Sequence, residues 1–410
     1  MSVTNKRVLQ LDVLRGIAIL LVIGRHLEIP RPGGPTGLVA ETWFSLGWLG
    51  VDLFFVLSGF LIGGLLLSEY RRHGELHVGR FLARRGLKIY PPYIAFVAYL
   101  VMLPTVKAVA GGRDPVAAFT EGWSANWTNL LFLQNYLGPT GHLWSLAVEE
   151  HFYLLLPFVL LALAKQRVMH RLIPLCLVVV PGLLLGVRIL SVWTDDAFAA
   201  RMAATHLRLD ALLFGVGIRA LAEYRPAQFA SIGRYRWLLV VVGILLWMPN
   251  LFIDPGTALI KTVGLSATLL GAAAFLIAAY HTHAADFGSS RRFVATSAAL
   301  VGWIGVYSYG IYLWHVSAIG SLEKLVDTPV ARLVGEAAAA GWLVRVIVVT
   351  CGAVAVGVIA SKIIEWPVLR LRDKWFPSRS QSVPVERPRT ASFSPWPGEE
   401  PADVRAISSV

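Results

Sequence analysis

Only two cysteines, Cys176 and Cys351, occur in 410 residues, and both lie inside apolar runs. No disulfide framework or cysteine metal cluster is implied, and buried core positions are the simplest expectation for both. Charge is also scarce: Asp, Glu, Lys and Arg make up 15% of the chain, against about 25% in soluble domains. The apolar runs lack the period-two alternation of membrane β-barrel strands. The short basic start (Lys6, Arg7) leads to no small-residue cleavage site, so no cleavable signal peptide is expected. No internal repeat is evident, and no room remains for a second globular domain.

What is present is apolar length. Hydrophobic residues reach 56%, with 14 tryptophans, and the mean hydropathy is +0.62. Runs such as VDLFFVLSGFLIGGLLL (51–67) and WLLVVVGILLWM (237–248) suit helices crossing about 30 Å of hydrocarbon. The expected fold is an all-α polytopic membrane bundle of about ten transmembrane helices, near 11–27, 47–68, 89–107, 146–164, 172–193, 205–222, 237–253, 259–280, 301–320 and 341–366. With the N-terminus inside, the inner loops hold Arg71, Arg72, Arg80, Arg84, Arg85, Lys88, Lys165, Arg167, Arg171, Arg219, Arg225, Arg234, Arg236, Arg291 and Arg292. The outer loops hold only Arg31, Arg113, Arg201, Lys324 and Arg332. This bias predicts a cytoplasmic-membrane location with both termini cytoplasmic. It also accounts for the formal net charge of +12 without nucleic acid as a partner; the partner read from composition is the lipid bilayer. Residues 1–372 form one transmembrane domain by this reading. Residues 373–410, rich in Pro, Ser and charge, read as a disordered cytoplasmic tail. The outer loop 108–145 is expected along the membrane surface.

LDVLRGIAILLVIGRH (11–26) sets ionisable side chains inside one such span. Arg15 and His26 are eleven residues apart, close to three whole turns, so they share a face about 16 Å apart along the axis. Asp12 lies one turn before Arg15, and Ile19, Val22 and Ile23 line the interval. Intramembrane charge is costly and points to function; the plainer alternative is an Asp12–Arg15 structural pair with an interfacial His26. A ligand spanning such a track would carry an anionic head and a reactive end, as the pantetheine arm of an acyl coenzyme A does.

Arg15, ten residues and His26 resemble the hallmark of the acyltransferase-3 family of integral-membrane O-acyltransferases. GWLGVDLFFVLSGFLI (47–62), FLARRGLKIYPPY (81–93), HLWSLAVEEHFYLLLP (142–157), RLDALLFGV (208–216), YSYGIYLWH (307–315) and EWP (365–367) resemble its later blocks in order. The resemblance covers about residues 8–372. It implies transfer of an acyl group, acetyl by default, from cytoplasmic acyl-CoA to a hydroxyl of a carbohydrate or glycosylated acceptor at the outer face. No metal is required, since the thioester supplies the leaving group. Within the class, a small natural product such as a macrolide sugar is the alternative acceptor; outside it, a secondary transporter is. Some relatives carry a fused esterase-like domain that is not seen here, which implies direct transfer or a separate extracytoplasmic partner protein.

By the resemblance His26 is the catalytic histidine, either a general base or a covalent acyl carrier, and Arg15 helps hold the coenzyme. The family's Arg-x-x-Arg appears as Arg85-Gly-Leu-Lys88 with Arg84 alongside, and these cations are candidates for the coenzyme phosphates. A lysine there keeps the charge but loses the bidentate fork. Glu149 is the family-matching acid, with Glu150 beside it. His142, Ser145, Glu149 and Tyr153 recur at helical spacing as a polar stripe, and a carboxylate there could orient a histidine. Asp52, Ser58 and Gly59 read as small-residue packing with a buried Asp–Arg pair. Arg208 and Asp210 read as scaffold or a pore-facing pair. Tyr312 and His315 could meet the acceptor. Trp123, Trp127 and Tyr136 offer a sugar-stacking platform or, by default, an interfacial belt.

Overall fold

The computed structural model describes residues 8–29, 33–138, 141–166, 168–194, 202–334 and 339–377. Among them every regular element is a helix. The first elements are α1 (Leu9–His26), α2 (Gly34–Leu46), α3 (Leu49–His73), α4 (Val78–Ala110), α5 (Pro115–Leu130), α6 (Gln134–Leu137) and α7 (Trp144–Lys165). There follow α8 (Leu172–Trp193), α9 (Leu209–Tyr224), α10 (Pro226–Gly233) and α11 (Arg236–Trp247). The last are α12 (Ile260–Tyr280), α13 (Arg291–Val306), α14 (Ser308–Val334), α15 (Ala339–Ala360) and α16 (Trp366–Trp375).

Among the described residues six helices are long and apolar enough to cross a membrane, or up to eight if two bent pairs each count as one span. The two other expected spans are α1 and α9. The first carries Asp12, Arg15 and Arg25 within 18 residues. The second has 16 residues, only about 24 Å of helix. Charge sets the first apart from a lipid-facing rod and shortness the second, and both pack against α3. The expected span 301–320 is corrected to two helices: α13 and α14 meet at Tyr307 in a pair bent by 76°.

α3 is the most enclosed span, 78% buried over its apolar window, whereas α8 is 17% buried. Glycines set how closely neighbours approach α3. A Cβ at Gly59 would meet the Leu212 backbone carbonyl on α9, and one at Gly215 would meet the Val56 carbonyl on α3. Such contact holds helices together by dispersion where lipid removes the hydrophobic drive. Cys351, expected in the core, is exposed on α15, while Cys176 is buried. In a bilayer an apolar run faces lipid as readily as protein, so hydrophobicity does not mark the core.

The expected inner loop before the third span is instead helix. α4 starts at Val78 and takes in Arg80, Arg84, Arg85 and Lys88 over 33 residues. The Arg, Leu and Ala of FLARRGLK are good helix formers. Its far end packs on α5, which occupies the expected surface loop. The tail boundary also moves, because α16 continues the helix to Trp375. Residues 378–410 lie outside the described residues.

Candidate functional site

Two cavities meet inside the bundle. The first, about 330 Å³, is lined by Arg15 of α1, Ser58 of α3, Arg85 and Lys88 of α4, Glu149 and Tyr153 of α7 and Glu365 before α16, among others. The second, about 450 Å³, is lined by Arg25, His26, Trp48, His142, Trp144 and Lys261, among others. Val51 and Tyr312 line both. The single groove expected along α1 is therefore two chambers with a shared wall. Ile19 and Ile23 pack into the core, and α3 supplies the apolar lining through Phe54, Leu57 and Leu61.

Asp12 and Arg15 pair at 2.8 Å, with Asp12 buried and Arg15 part-exposed to the first cavity. Arg85 and Lys88 line that cavity, and among the described residues neither side chain has a hydrogen bond or ion pair; Arg85 stands over the Tyr153 ring at 5.5 Å. Arg84 does not join them. Its guanidinium donates to the Phe376 carbonyl and to Asp373 Oδ1 at 3.1 Å, which ties α4 to the end of α16. Consecutive residues on a helix differ by about 100°, and here Arg84 turns toward α16 while Arg85 lines the cavity.

The polar stripe on α7 divides between the chambers. Ser145, Glu149 and Tyr153 line the first, while His142 sits in the turn before α7 and lines the second. Tyr153 donates to Glu149 Oε2 at 2.8 Å and meets Ser58 Oγ at 2.6 Å. A hydroxyl proton already given to a carboxylate leaves the phenol oxygen to accept from Ser58. Glu150 accepts from Tyr90 at 2.5 Å. Tyr312 donates to the His142 carbonyl at 2.7 Å and meets Ser145 Oγ at 2.5 Å, so the shared wall is fixed from both sides.

Three histidines cluster beside the second cavity: His26 and His142 line it, and His315 is buried behind them. His26 Nδ1 lies 2.9 Å from the Val22 carbonyl and 3.3 Å from His315 Nε2. His315 Nδ1 lies 2.7 Å from the Tyr312 carbonyl. A carbonyl only accepts, so both Nδ1 atoms carry protons, His315 Nε2 accepts, and His26 Nε2 keeps its lone pair. The neighbour orienting His26 is thus a histidine, not Glu149. His142 Nε2 donates to the Leu313 carbonyl at 3.1 Å, and burial lowers this imidazole to about 4, keeping it neutral.

Asp52 pairs with Arg208 at 2.8 Å, the buried Asp–Arg pair read from the sequence. Arg208 and Asp210 do not pair with each other. Asp210 takes Arg188 at 2.8 Å, a fully buried arginine that the sequence reading passed over. Its position inside the apolar run of α8 was the available signal. The tryptophans of the second cavity are Trp48 and Trp144. Trp123 and Trp127 are exposed on α5, and Tyr136 stacks on His206. Among the described residues no group of three or more His, Cys, Asp or Glu is spaced to hold a metal ion.

Comparison with known proteins adds independent support. A family described as an acyltransferase domain matches residues 8–362. The chain is 27% identical over 348 residues to the peptidoglycan O-acetyltransferase OatA of Listeria monocytogenes, covering 80% of this chain and 51% of that protein. It is 31% identical over 322 residues to the O-acetyltransferase OatA of Staphylococcus aureus, covering 75% and 50%. The chain thus spans about half the length of these relatives. No solved structure matches.

Proposed function

This chain belongs to the acyltransferase-3 family, and we propose that it transfers an acetyl group from acetyl-CoA to a hydroxyl of a cell-envelope carbohydrate across the cytoplasmic membrane. The relatives' names supply acetyl as the group and peptidoglycan as the precedent for the acceptor. The bias of cationic residues read from the sequence supports cytoplasmic termini and a cytoplasmic donor.

The observation that carries this reading is the tautomer of His26. Its Nδ1–H is held by Val22 and His315, so Nε2 is the basic nitrogen, at a cavity that shares Val51 and Tyr312 with the one lined by Arg15, Arg85 and Lys88. The Arg15, Arg85 and Lys88 cations suit the phosphates of coenzyme A in the first cavity, and the apolar lining from α3 suits its pantetheine arm. In the transfer, His26 Nε2 takes the acceptor hydroxyl proton as the oxygen adds to the thioester carbonyl. The tetrahedral adduct expels the thiolate of coenzyme A, and the proton leaves with it as the thiol. His315 Nε2 and the Val22 carbonyl face Nδ1–H and stabilise the imidazolium in between. Water exclusion and orientation supply the remainder.

The test is transfer of label from radioactive acetyl-CoA in membrane vesicles. His26→Ala should lower it at least about 10²-fold while acetyl-CoA still binds. Undiminished transfer removes His26 from the mechanism, and solute uptake without an acetylated product favours a transporter.

A further inference from the structure

The second cavity is cationic. Arg25, Arg208 and Lys261 line it together with His26 and His142, and among the described residues no Asp or Glu lines it. The three cations differ in how they are held. Arg208 is neutralised by Asp52, and the Arg25 guanidinium stands over the Phe44 ring at 4.1 Å. The Lys261 ammonium has no hydrogen-bond or ion-pair partner among the described residues. The acid nearest in sequence, Asp254, accepts from the Gly256 amide at 2.6 Å and forms no ion pair with Lys261.

The backbone also departs from regular helix at this point. Lys261 lies in a π-turn, Ile260–Gly264, at the start of α12. In a regular α-helix, residues five apart sit about 140° apart. The wider turn brings Ile260, Lys261 and Leu265 to the same cavity. π-bulges of this kind recur at functional sites. Lys261 is half-buried, and an ammonium held beside apolar residues at a cavity wall is a ready partner for an anion entering that cavity.

We infer that the acceptor is an anionic carbohydrate, carrying a carboxylate or phosphate near the acylated hydroxyl, and that Lys261 selects for that group. This rests on the acyl-transfer reading for the identity of the second cavity as the acceptor site. Trp48 and Trp144 in the same lining suit the apolar face of a sugar ring.

The experiment uses the full chain in detergent micelles, where both faces are accessible, with radioactive acetyl-CoA and three acceptors. These are p-nitrophenyl β-glucuronide, p-nitrophenyl β-glucoside and polyprenyl phosphoglucose. Wild type should favour the glucuronide or the phosphoglucose over the neutral glucoside by at least about tenfold in kcat/KM, about 1.4 kcal/mol. The preferred member of the charged pair identifies a carboxylate on the sugar or the phosphate of a carrier. Lys261→Met should collapse the charged-to-neutral ratio through KM, and Lys261→Arg should keep it. Equal kcat/KM for charged and neutral acceptors, or a Lys261→Met loss shared by both, overturns the inference. Calorimetric titration of the glucuronide and phosphoglucose into His26→Ala protein separates this from failure of the acyl-transfer reading. Binding abolished by adding Lys261→Met supports the anion site even if no turnover is seen. Absent binding, or binding indifferent to Lys261, overturns it.

Discussion

At the scale of single residues, neighbours in sequence take different tasks. Arg84 holds the last helix while Arg85 and Lys88 face the first cavity. Arg85→Ala is therefore expected to raise KM for acetyl-CoA about tenfold or more, the scale of a lost charge-assisted contact of about 1.5–3 kcal/mol. Arg84→Ala should leave that KM within about twofold and instead increase proteolysis after α16. Steady-state kinetics on both, with limited proteolysis on the second, checks the division. His315 acts through His26 by accepting its Nδ1–H. His315→Ala is expected to lower kcat about 10²-fold with little change in the acetyl-CoA KM. His315→Asn, whose amide oxygen can accept the same proton, should recover part of the loss. Equal damage by both variants would assign His315 to packing alone.

At the scale of elements, α3 is the axis on which the site is assembled. It carries Asp52 and Gly59 toward α9, and Phe54, Leu57 and Ser58 toward the first cavity. Gly59→Leu drives a side chain into the Leu212 carbonyl, an overpacking that costs about 1–3 kcal/mol. A lowered midpoint of thermal unfolding in detergent, matched by Gly215→Leu from the other side, is the expected result. The Asp52–Arg208 pair is buried at both ends. Asp52→Ala should destabilise by about 3–5 kcal/mol, because Arg208 is left uncompensated. Asp52→Leu combined with Arg208→Met should be closer to wild type than the single variant, as judged by the same melts. The α3–α9 contact was partly legible: Gly59 and Asp52 stood in a diagnostic block, and a buried Asp–Arg pair followed from the expense of lone charge in lipid. The partner of Asp210 was not legible, since Arg188 lies on a separate span and only packing brings it near.

At the scale of the whole molecule, the proposed transfer requires passage between two chambers divided by Tyr312 and Val51. Tyr312 is pinned by Ser145 and the His142 carbonyl. Tyr312→Ala should merge the chambers and admit water, so that acetyl-CoA is hydrolysed without acceptor at a raised rate. Tyr312→Trp should thicken the wall and reduce transfer while leaving acetyl-CoA binding in place. Release of free coenzyme A measured with and without acceptor, beside equilibrium binding of acetyl-CoA, tells these outcomes apart.

The sequence by itself determined the helical membrane class, the helix face shared by Arg15 and His26, and the family through blocks spread over most of the chain. Each of these follows from local spacing, because helical period, hydrocarbon thickness and motif order are properties of contiguous residues. Only the tertiary structure decided that the track is two cavities, that a histidine rather than a carboxylate faces His26 Nδ1, that Arg84 turns away from the first cavity, and that α13 and α14 break at Tyr307. Those outcomes depend on which faces of distant helices meet. In a bilayer, apolar residues serve lipid and protein contacts alike, so hydrophobicity along the chain does not encode that choice.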